Sequence, residues 1–356
     1  MGKVKERNSL AFKITAFAAV LAIVCTCSAV SADSLKVDPS AQGNYTSIQA
    51  AVDAAKAEDT IFVGPGTYVE NFKIDKQVRI WSASRKPEDT IIRAADPAKN
   101  TVEIEGNKVS FSGFGVEGSE KAQISLTGAK NCYINNNRVQ GAEFGILLIS
   151  SQSNTISNNN ITLNKKGIRL ENSDSNTIQD NIIAYNYVFG ISLEGSITNF
   201  IYNNYFKNAE NVEEKTINAD NLWQSPLIVK QNIVKGPYIG GNFWADTEGK
   251  GYSQTCVDGN SNGICDSSYN VTGGGTDKFP LFPKVPNAVK TLDNKLNSTA
   301  TEYEQTLAKE KIKTTVETPV NATNGTKKPS TEETPGPGMV TAVLAAGAAY
   351  FLRRNR

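Results

Sequence analysis

Apolar residues recur along this chain with two periods at once. Over short stretches they alternate with their neighbours, as in Gly167-Ile168-Arg169-Leu170, the two-residue period of a strand with one buried face. Over longer distances the same pattern returns about every 22 residues, which marks a solenoid and not a globular core. Ile134, Ile156, Ile178 and Ile201 fall in register, as do Val139, Ile161, Ile183 and Phe206. Gly145, Gly167 and Gly190 follow the same shift, with Ile146, Ile168, Ile191 and then Leu148, Leu170, Leu193 behind them. A weaker copy lies upstream, where Phe111, Val116, Ile124 and Leu126 match Ile134, Val139, Ile146 and Leu148.

Asn runs separate the strands: Asn135-Asn136-Asn137, Asn158-Asn159-Asn160, Asp180-Asn181 and Asn203-Asn204. Asn accepts left-handed backbone, and its amide can bond the same group one coil above, so these runs predict corners carrying an amide ladder. Three short strands and three corners per repeat predict an all-β fold, a right-handed parallel β-helix with coils about 4.8 Å apart. Roughly nine coils between about residues 60 and 245 would form a rod on the order of 40 Å long.

The two ends of the chain have a different composition. Lys3, Lys5, Arg7 and Lys13 precede an apolar run from Ile14 to Val30 that closes on Val30-Ser31-Ala32. This reads as a secretory signal peptide over residues 1–32, an uncleaved anchor helix being the alternative. Cys25 and Cys27 leave with it, so three cysteines remain: Cys132, Cys256 and Cys265. Residues 284–334 are rich in Thr, Lys, Glu, Asn and Pro, with glycosylation sequons at Asn297, Asn321 and Asn324. Such a segment buries too little apolar surface to fold and reads as a disordered, extended stalk. Residues 335–356 hold Pro335-Gly336-Pro337-Gly338, an apolar stretch from Met339 to Leu352 and a terminal arginine cluster. They resemble the archaeal PGF-CTERM type of sorting signal, although Met339 stands where that type carries Phe; a plain membrane tether is the alternative.

A β-helix has open ends that must be covered. At the N-terminal end Thr46-Ser47-Ile48-Gln49 has capping-box spacing, with Ile48, Val52 and Ala55 on one helical face, so a short helix is expected to plug the rod. The cap and the coils together occupy residues 33–245, and a C-terminal cap follows over residues 246–283. Ser47-Ile48-Gln49-Ala50-Ala51-Val52-Asp53-Ala54-Ala55, followed by Asp59-Thr60-Ile61 and Gly64-Pro65-Gly66-Thr67-Tyr68, resembles the pectate-lyase-like β-helix superfamily and its NosD-type branch. Gly240-Gly241-Asn242-Phe243-Trp244 and Asp277-Lys278-Phe279-Pro280-Leu281 resemble the closing segment of archaeal NosD-like surface proteins.

The resemblance implies two chemistries to weigh. The NosD family is implied to deliver copper, which needs soft or imidazole ligands. This chain has no His, and Met1 and Met339 lie outside the expected mature coils, so a copper-maturation role is disfavoured. Related β-helix hydrolases and lyases are implied to use carboxylates on one face, sometimes with Arg. The nearest counterparts here are Glu171 and Glu194, equivalent positions on successive coils beside Arg169. One coil apart, they would stand near the separation of about 5 Å that a retaining glycosidase uses. The simpler reading, and the favoured one, is two solvated acids neutralised by Arg169, Lys165 and Lys166.

A sharper motif is Asp258-Gly259-Asn260-Ser261-Asn262-Gly263-Ile264-Cys265-Asp266. Oxygen donors from Asp258, Asn260, Asn262 and Asp266, the carbonyl of Ile264 and a Gly at the sixth place follow the first nine places of a calcium loop. Tyr269 stands where the bidentate Glu would close it, so the alternative is an ion-free turn. Cys256 and Cys265 bracket the loop and are expected to pair outside the cell, leaving Cys132 as a buried thiol.

Trp223, Tyr238, Phe243, Trp244 and Tyr252 gather near the last coils and either stack on sugars or, as aromatics more often do, fill the core. With 37 basic against 36 acidic residues the chain carries no field suited to nucleic acid. The combined expectation is an exported, surface-anchored β-helix bearing calcium, with a structural or carbohydrate-binding role in the envelope. Its expected partners are an envelope polysaccharide or a surface-layer protein, and the membrane through its tail. The rival is a polysaccharide hydrolase or lyase.

Overall fold

The computed structural model describes residues 32–216 and 219–283, together with residues 287, 289–298 and 301. The expected signal peptide, most of the expected stalk and the tail of residues 335–356, expected to be a sorting signal or a membrane tether, lie outside them.

Three parallel sheets form the walls of a right-handed β-helix. The first wall has eight strands, beginning at Ser34–Val37 and Thr60–Val63 and ending at Phe200–Tyr202. The second also has eight, from Gly66–Val69 to Phe243–Ala245. The third has seven, from Phe72–Ile74 to Glu210–Glu214. About eight turns are therefore wound, not nine. The early coils are uneven: Thr60 pairs with Arg79, a short coil, and Arg79 with Ser110, a long one that takes in the turns around residues 83–89 and 94–101.

Register follows the sequence repeat. Ile134 pairs with Ile156, Ile156 with Ile178 and Ile178 with Ile201, all fully buried. Val139, Ile161, Ile183 and Phe206 form the second column and Ile146, Ile168, Ile191 and Val212 the third. The weaker upstream match also holds, Phe111 pairing with Ile134 and Val116 with Val139. Each inward side chain rests on its counterpart one coil away, so burial is repeated at every level. The glycine column has a steric cause: a Cβ on Gly167 would lie 2.6 Å from the carbonyl oxygen of Gly190.

The corners carry the expected ladder, with a division of labour inside each Asn run. Asn136, Asn158, Asp180 and Asn203 take left-handed backbone, φ 53–59°, and make the turn. The next residue points inward: the backbone N–H and the Nδ2 of Asn137 both donate to Oδ1 of Asn159, at 3.0 and 3.1 Å. Asn159 repeats this with Asn181, Asn181 with Asn204 and Asn204 with Asn242. Three further columns run through the other corners: Asn154–Asn176–Asn199–Asn221, Asn164–Asn186–Asn208 and Ser151–Ser173–Ser196. Burying so many amides is tolerable because each is paired.

The helix Ile48–Ala54 plugs the N-terminal end, but its cap differs from expectation. Ser47, not Thr46, is the N-cap, and the Glu70 carboxylate accepts from the N–H groups of Ile48 and Gln49 at 2.8 and 3.0 Å. Gln49 instead bonds Asp53 and the backbone of Lys73. An acid supplied across the coil satisfies the orphan N–H groups and the helix dipole together.

The expectation of a stalk from residue 284 is corrected at its start. Residues 289–298 are helical and lie on the outside of the last coils. Asp293 accepts from Tyr205 Oη at 2.6 Å and pairs with Lys207 at 2.9 Å, and Tyr185 Oη donates to Asn297. Val289, Leu292 and Leu296 form a helical apolar stripe that packs on the second core cluster. Composition hid this stripe because its three apolar residues are spread through a polar segment.

Candidate functional site

Three exterior features carry chemistry. On the third wall, Arg169 is 8% exposed and gathers the carboxylates of that face. Its Nε bonds Glu171 Oε1 and its NH2 bonds Glu194 Oε2, each at 2.7 Å, while NH1 bonds Ser192 Oγ at 2.9 Å. Glu171 and Glu194 are register partners on successive strands, as the repeat requires. The neutralising cations differ from expectation. Lys165 pairs with Glu143, and Lys166 pairs with Glu213, a residue of the last coil that joins the network beside Lys215.

The electrostatics of this face oppose acid catalysis. Hydrogen bonds and charge from Arg169 hold the Glu194 carboxyl below its usual range. Burial would raise Glu213, but hydrogen bonds from Ser192, Lys166 and Lys215 outweigh it and hold the carboxyl at about 2. A glycosidase needs one carboxyl that keeps its proton near neutral pH, and both of these groups are pushed the other way. The network is a crosslink of adjacent coils.

At the C-terminal end, the predicted loop closes on itself. Asp258 accepts from the N–H groups of Asn262 and Gly263 at 2.9 and 2.8 Å, and Asn260 from Asn262 at 3.0 Å. Asn262 accepts from Ile264 at 2.8 Å and Asp266 from Gly259 at 3.0 Å. Gly263 has φ +85°, so the sixth place makes the left-handed turn anticipated for it. Cys256 and Cys265 are disulfide-bonded across the loop. The segment runs beside Pro280 and Leu281, with the Cys265 N–H donating to the Pro280 carbonyl.

Asp277 anchors the same end. Its Oδ2 accepts from the Asn242 N–H and from Trp244 Nε1, and its Oδ1 from the Phe279 N–H. Burial pushes its carboxyl up to about 7, against the pull of these donors. A Cβ on Gly241 would run into Asp277 Oδ1, which is why that position is glycine. The aromatics divide accordingly: Trp223, Phe243 and Trp244 are fully buried core, Phe206 stacks on Trp244 at 4.8 Å, and only Tyr238 and Tyr252 are half-buried.

The third feature is a groove of about 560 Å³ on the outside of the second wall. Asn158, Asn160, Asp180 and Asn203 line its floor, the segment 230–235 forms one side, and Val289 and Leu292 of the docked helix form another. The Asn runs predict corners alone, and nothing in the repeat shows that distant segments wall them in.

The fold defines the protein as a right-handed parallel β-helix with covered ends. Residues 52–249, more than half of the chain, match the family described as "Periplasmic copper-binding protein (NosD)", and the chain belongs to that family. A "Cell surface glycoprotein" of Methanothermus fervidus is 34% identical over 100 residues, 28% of this chain and 16% of that protein. Similar solved structures include the alginate lyase of Paenibacillus sp. str. FPU-7, at 18% identity, TM-score 0.44, covering 51% of this chain and 68% of that one. Pectate lyase Pel9A is 12% identical with a TM-score of 0.41, covering 53% of this chain and 66% of that one.

Copper, which the family description implies, does not fit the residues present. The chain has no His. Cys256 and Cys265 are joined to each other, and Cys132 is buried in the core, where burial pushes its thiol up to about 11. Among the described residues no three His, Cys, Asp or Glu side chains converge on a point. Soft or imidazole donors are what copper requires.

Proposed function

We propose that this chain is an exported, surface-displayed β-helix with a structural and carbohydrate-binding role in the cell envelope. The observation that carries the reading is the third wall, where every carboxylate near Arg169 is tied into an ion pair and Glu194 and Glu213 are held ionised. The ion pairs of that face tie successive coils together. The family's description as periplasmic and the relative's as a cell surface glycoprotein support export and surface display. Envelope polysaccharide or surface-layer protein is the partner this reading expects, with the C-terminal tail holding the rod at the membrane. No described helix is long and apolar enough to cross a membrane, and the tail lies beyond the described residues.

Calcium belongs to the same reading. Asp258, Asn260, Asn262 and Asp266, with the Ile264 carbonyl, would hold the ion, and its charge would offset carboxylates that now fold back on the loop's own N–H groups. Incubation of the full chain with extracted envelope polysaccharide tests the whole. Sedimentation with the polymer and no new reducing or unsaturated ends supports binding; product formation lost in Glu171→Gln would make the protein a hydrolase or lyase.

A further inference from the structure

Besides Asn297, Asn321 and Asn324, three asparagines of the folded rod begin a glycosylation sequon: Asn44-Tyr45-Thr46, Asn160-Ile161-Thr162 and Asn270-Val271-Thr272. The fold treats them differently. Asn44 and Thr46 are both exposed, on the loop between strand Ser34–Val37 and the plugging helix Ile48–Ala54. Asn270 and Thr272 are exposed as well, where strand Tyr269–Asn270 runs into Gly273, Gly274 and Gly275, a turn with positive φ at all three glycines. Asn160 instead opens the strand Asn160–Thr162, paired with Arg138 on one side and Ile182 on the other, and Thr162 is only 2% exposed.

The amides of the two loop asparagines share an orientation. Asn44 Oδ1 accepts from the Lys36 N–H at 3.2 Å, and Asn270 Oδ1 accepts from Thr276 Oγ1 at 3.3 Å. Neither Nδ2 has a hydrogen-bond partner among the described residues. The ladder asparagines differ, since Asn137 and Asn159 use Nδ2 to bond the next coil. At Asn44 and Asn270 the protein therefore steadies the oxygen and leaves the nitrogen outside.

We propose that Asn44 and Asn270 carry N-linked oligosaccharides and that Asn160 does not, an inference that rests on the exported, surface-displayed reading above. This acceptor motif works on the surface loops of secreted proteins, where an enzyme reaches the amide and the hydroxyl of one sequon together. In the transfer, Nδ2 bonds to the anomeric carbon of an oligosaccharide carried on a lipid phosphate. The bond from that carbon to the phosphate oxygen breaks, the lipid phosphate leaves with the electron pair, and Nδ2 releases one proton. Oδ1 takes no part, so its bonds from Lys36 and Thr276 persist. Thr162, closed into the wall, cannot be presented in this way.

The two positions flank the ends of the rod. Asn44 adjoins the helix that plugs one end, and Asn270 lies on the hairpin that carries Asp277 at the other. Bulky, solvated glycans there would shield the ends of the sheets, where exposed edges invite pairing with other chains.

Tandem mass spectrometry of peptides from the full chain, purified from its own membrane, tests the assignment. Peptides spanning Asn44 and Asn270 should carry sugar, and the peptide spanning Asn160 should be bare. Thr46→Val and Thr272→Val should each strip the sugar from its own site alone, read as a gain in electrophoretic mobility, whereas Thr46→Ser and Thr272→Ser should retain it.

A bare Asn44 or Asn270, sugar on Asn160, or sugar retained in the valine variants would overturn the proposal. Labelling of intact cells with a membrane-impermeant amine reagent separates it from the reading beneath it. Bare sites on a labelled chain overturn the glycans and leave surface display standing; bare sites on an unlabelled chain overturn both.

Discussion

Asp277 holds Trp244 from 33 residues away, its Oδ2 taking the indole N–H at 2.8 Å while the same oxygen takes the Asn242 N–H at 2.7 Å. Asn242 is the last rung of the amide ladder, and Trp244 is stacked over Phe206. One carboxylate thus seals both the polar and the apolar columns of the rod. Asp277→Ala leaves two buried N–H groups and one part-buried N–H unpaired and should cost about 3 kcal/mol, read as a lower midpoint in urea.

The same group gives a pH dependence of defined sign. Its folded value of about 7 lies above the ordinary 3.8, so the protonated form favours the folded state. That contribution is fully present below pH about 4 and is lost as pH rises through 7, with a slope of at most about 1.4 kcal/mol per unit. The side-chain amide introduced by Asp277→Asn is a neutral isostere and cannot titrate. The difference in melting temperature between parent and Asp277→Asn should therefore change between pH 4 and 7; a constant difference refutes the assignment.

Glu213 titrates with the opposite sign. Its folded value of about 2 lies below the ordinary 4.5, so it stabilises the fold above pH 4.5 and loses that contribution as pH falls through 2. After allowance for solvent screening the effect is about 1–2 kcal/mol. Acid unfolding of Glu213→Gln followed by circular dichroism should begin from a lower stability at pH 6 and converge with the parent near pH 2.

The amide ladder should behave as a buried network. Asn181 Oδ1 receives two bonds from Asn159, and its Nδ2 reaches the Ile156 carbonyl and Asn204. Asn181→Ala should cost about 2–4 kcal/mol, whereas Ser175→Ala at an exposed corner should cost well under 1 kcal/mol. Denaturant melts of the two variants side by side decide whether the inward column, and not corner polarity in general, holds the coils together.

Calcium gives a prediction about the closing loop. Addition of the ion should raise the melting temperature of the chelated protein, and Asp258→Ala should abolish the rise. A melt unchanged by chelation would leave Asp258, Asn260, Asn262 and Asp266 as a turn held by its own backbone bonds.

Much of this was legible in one dimension. The columns Ile134–Ile156–Ile178–Ile201 and the Asn runs at the corners could be placed because the repeat is strict there, whereas the inward turn of Asn137, Asn159 and Asn181 within those runs came from the structure. Glu171 and Glu194 were placed for the same reason. Glu213 escaped because the last coil reads Glu210-Asn211-Val212-Glu213-Glu214 and breaks the pattern that located its neighbours. Glu70 escaped as the acid at the helix start, being 22 residues from Ile48 with no motif joining them.

What the sequence determined alone is the coil: its strands, their register and the apolar columns that face inward. In a solenoid each repeat adds a fixed rise, so separation along the chain converts directly into position along the rod. Only the tertiary structure decided which unrepeated segments close on the coils: Asp277 on Trp244, Asp293 on Lys207, and residues 230–235 with Val289 and Leu292 around Asn160. Those contacts join residues far apart in sequence through shape and charge met once, and a contact made once leaves no period to read.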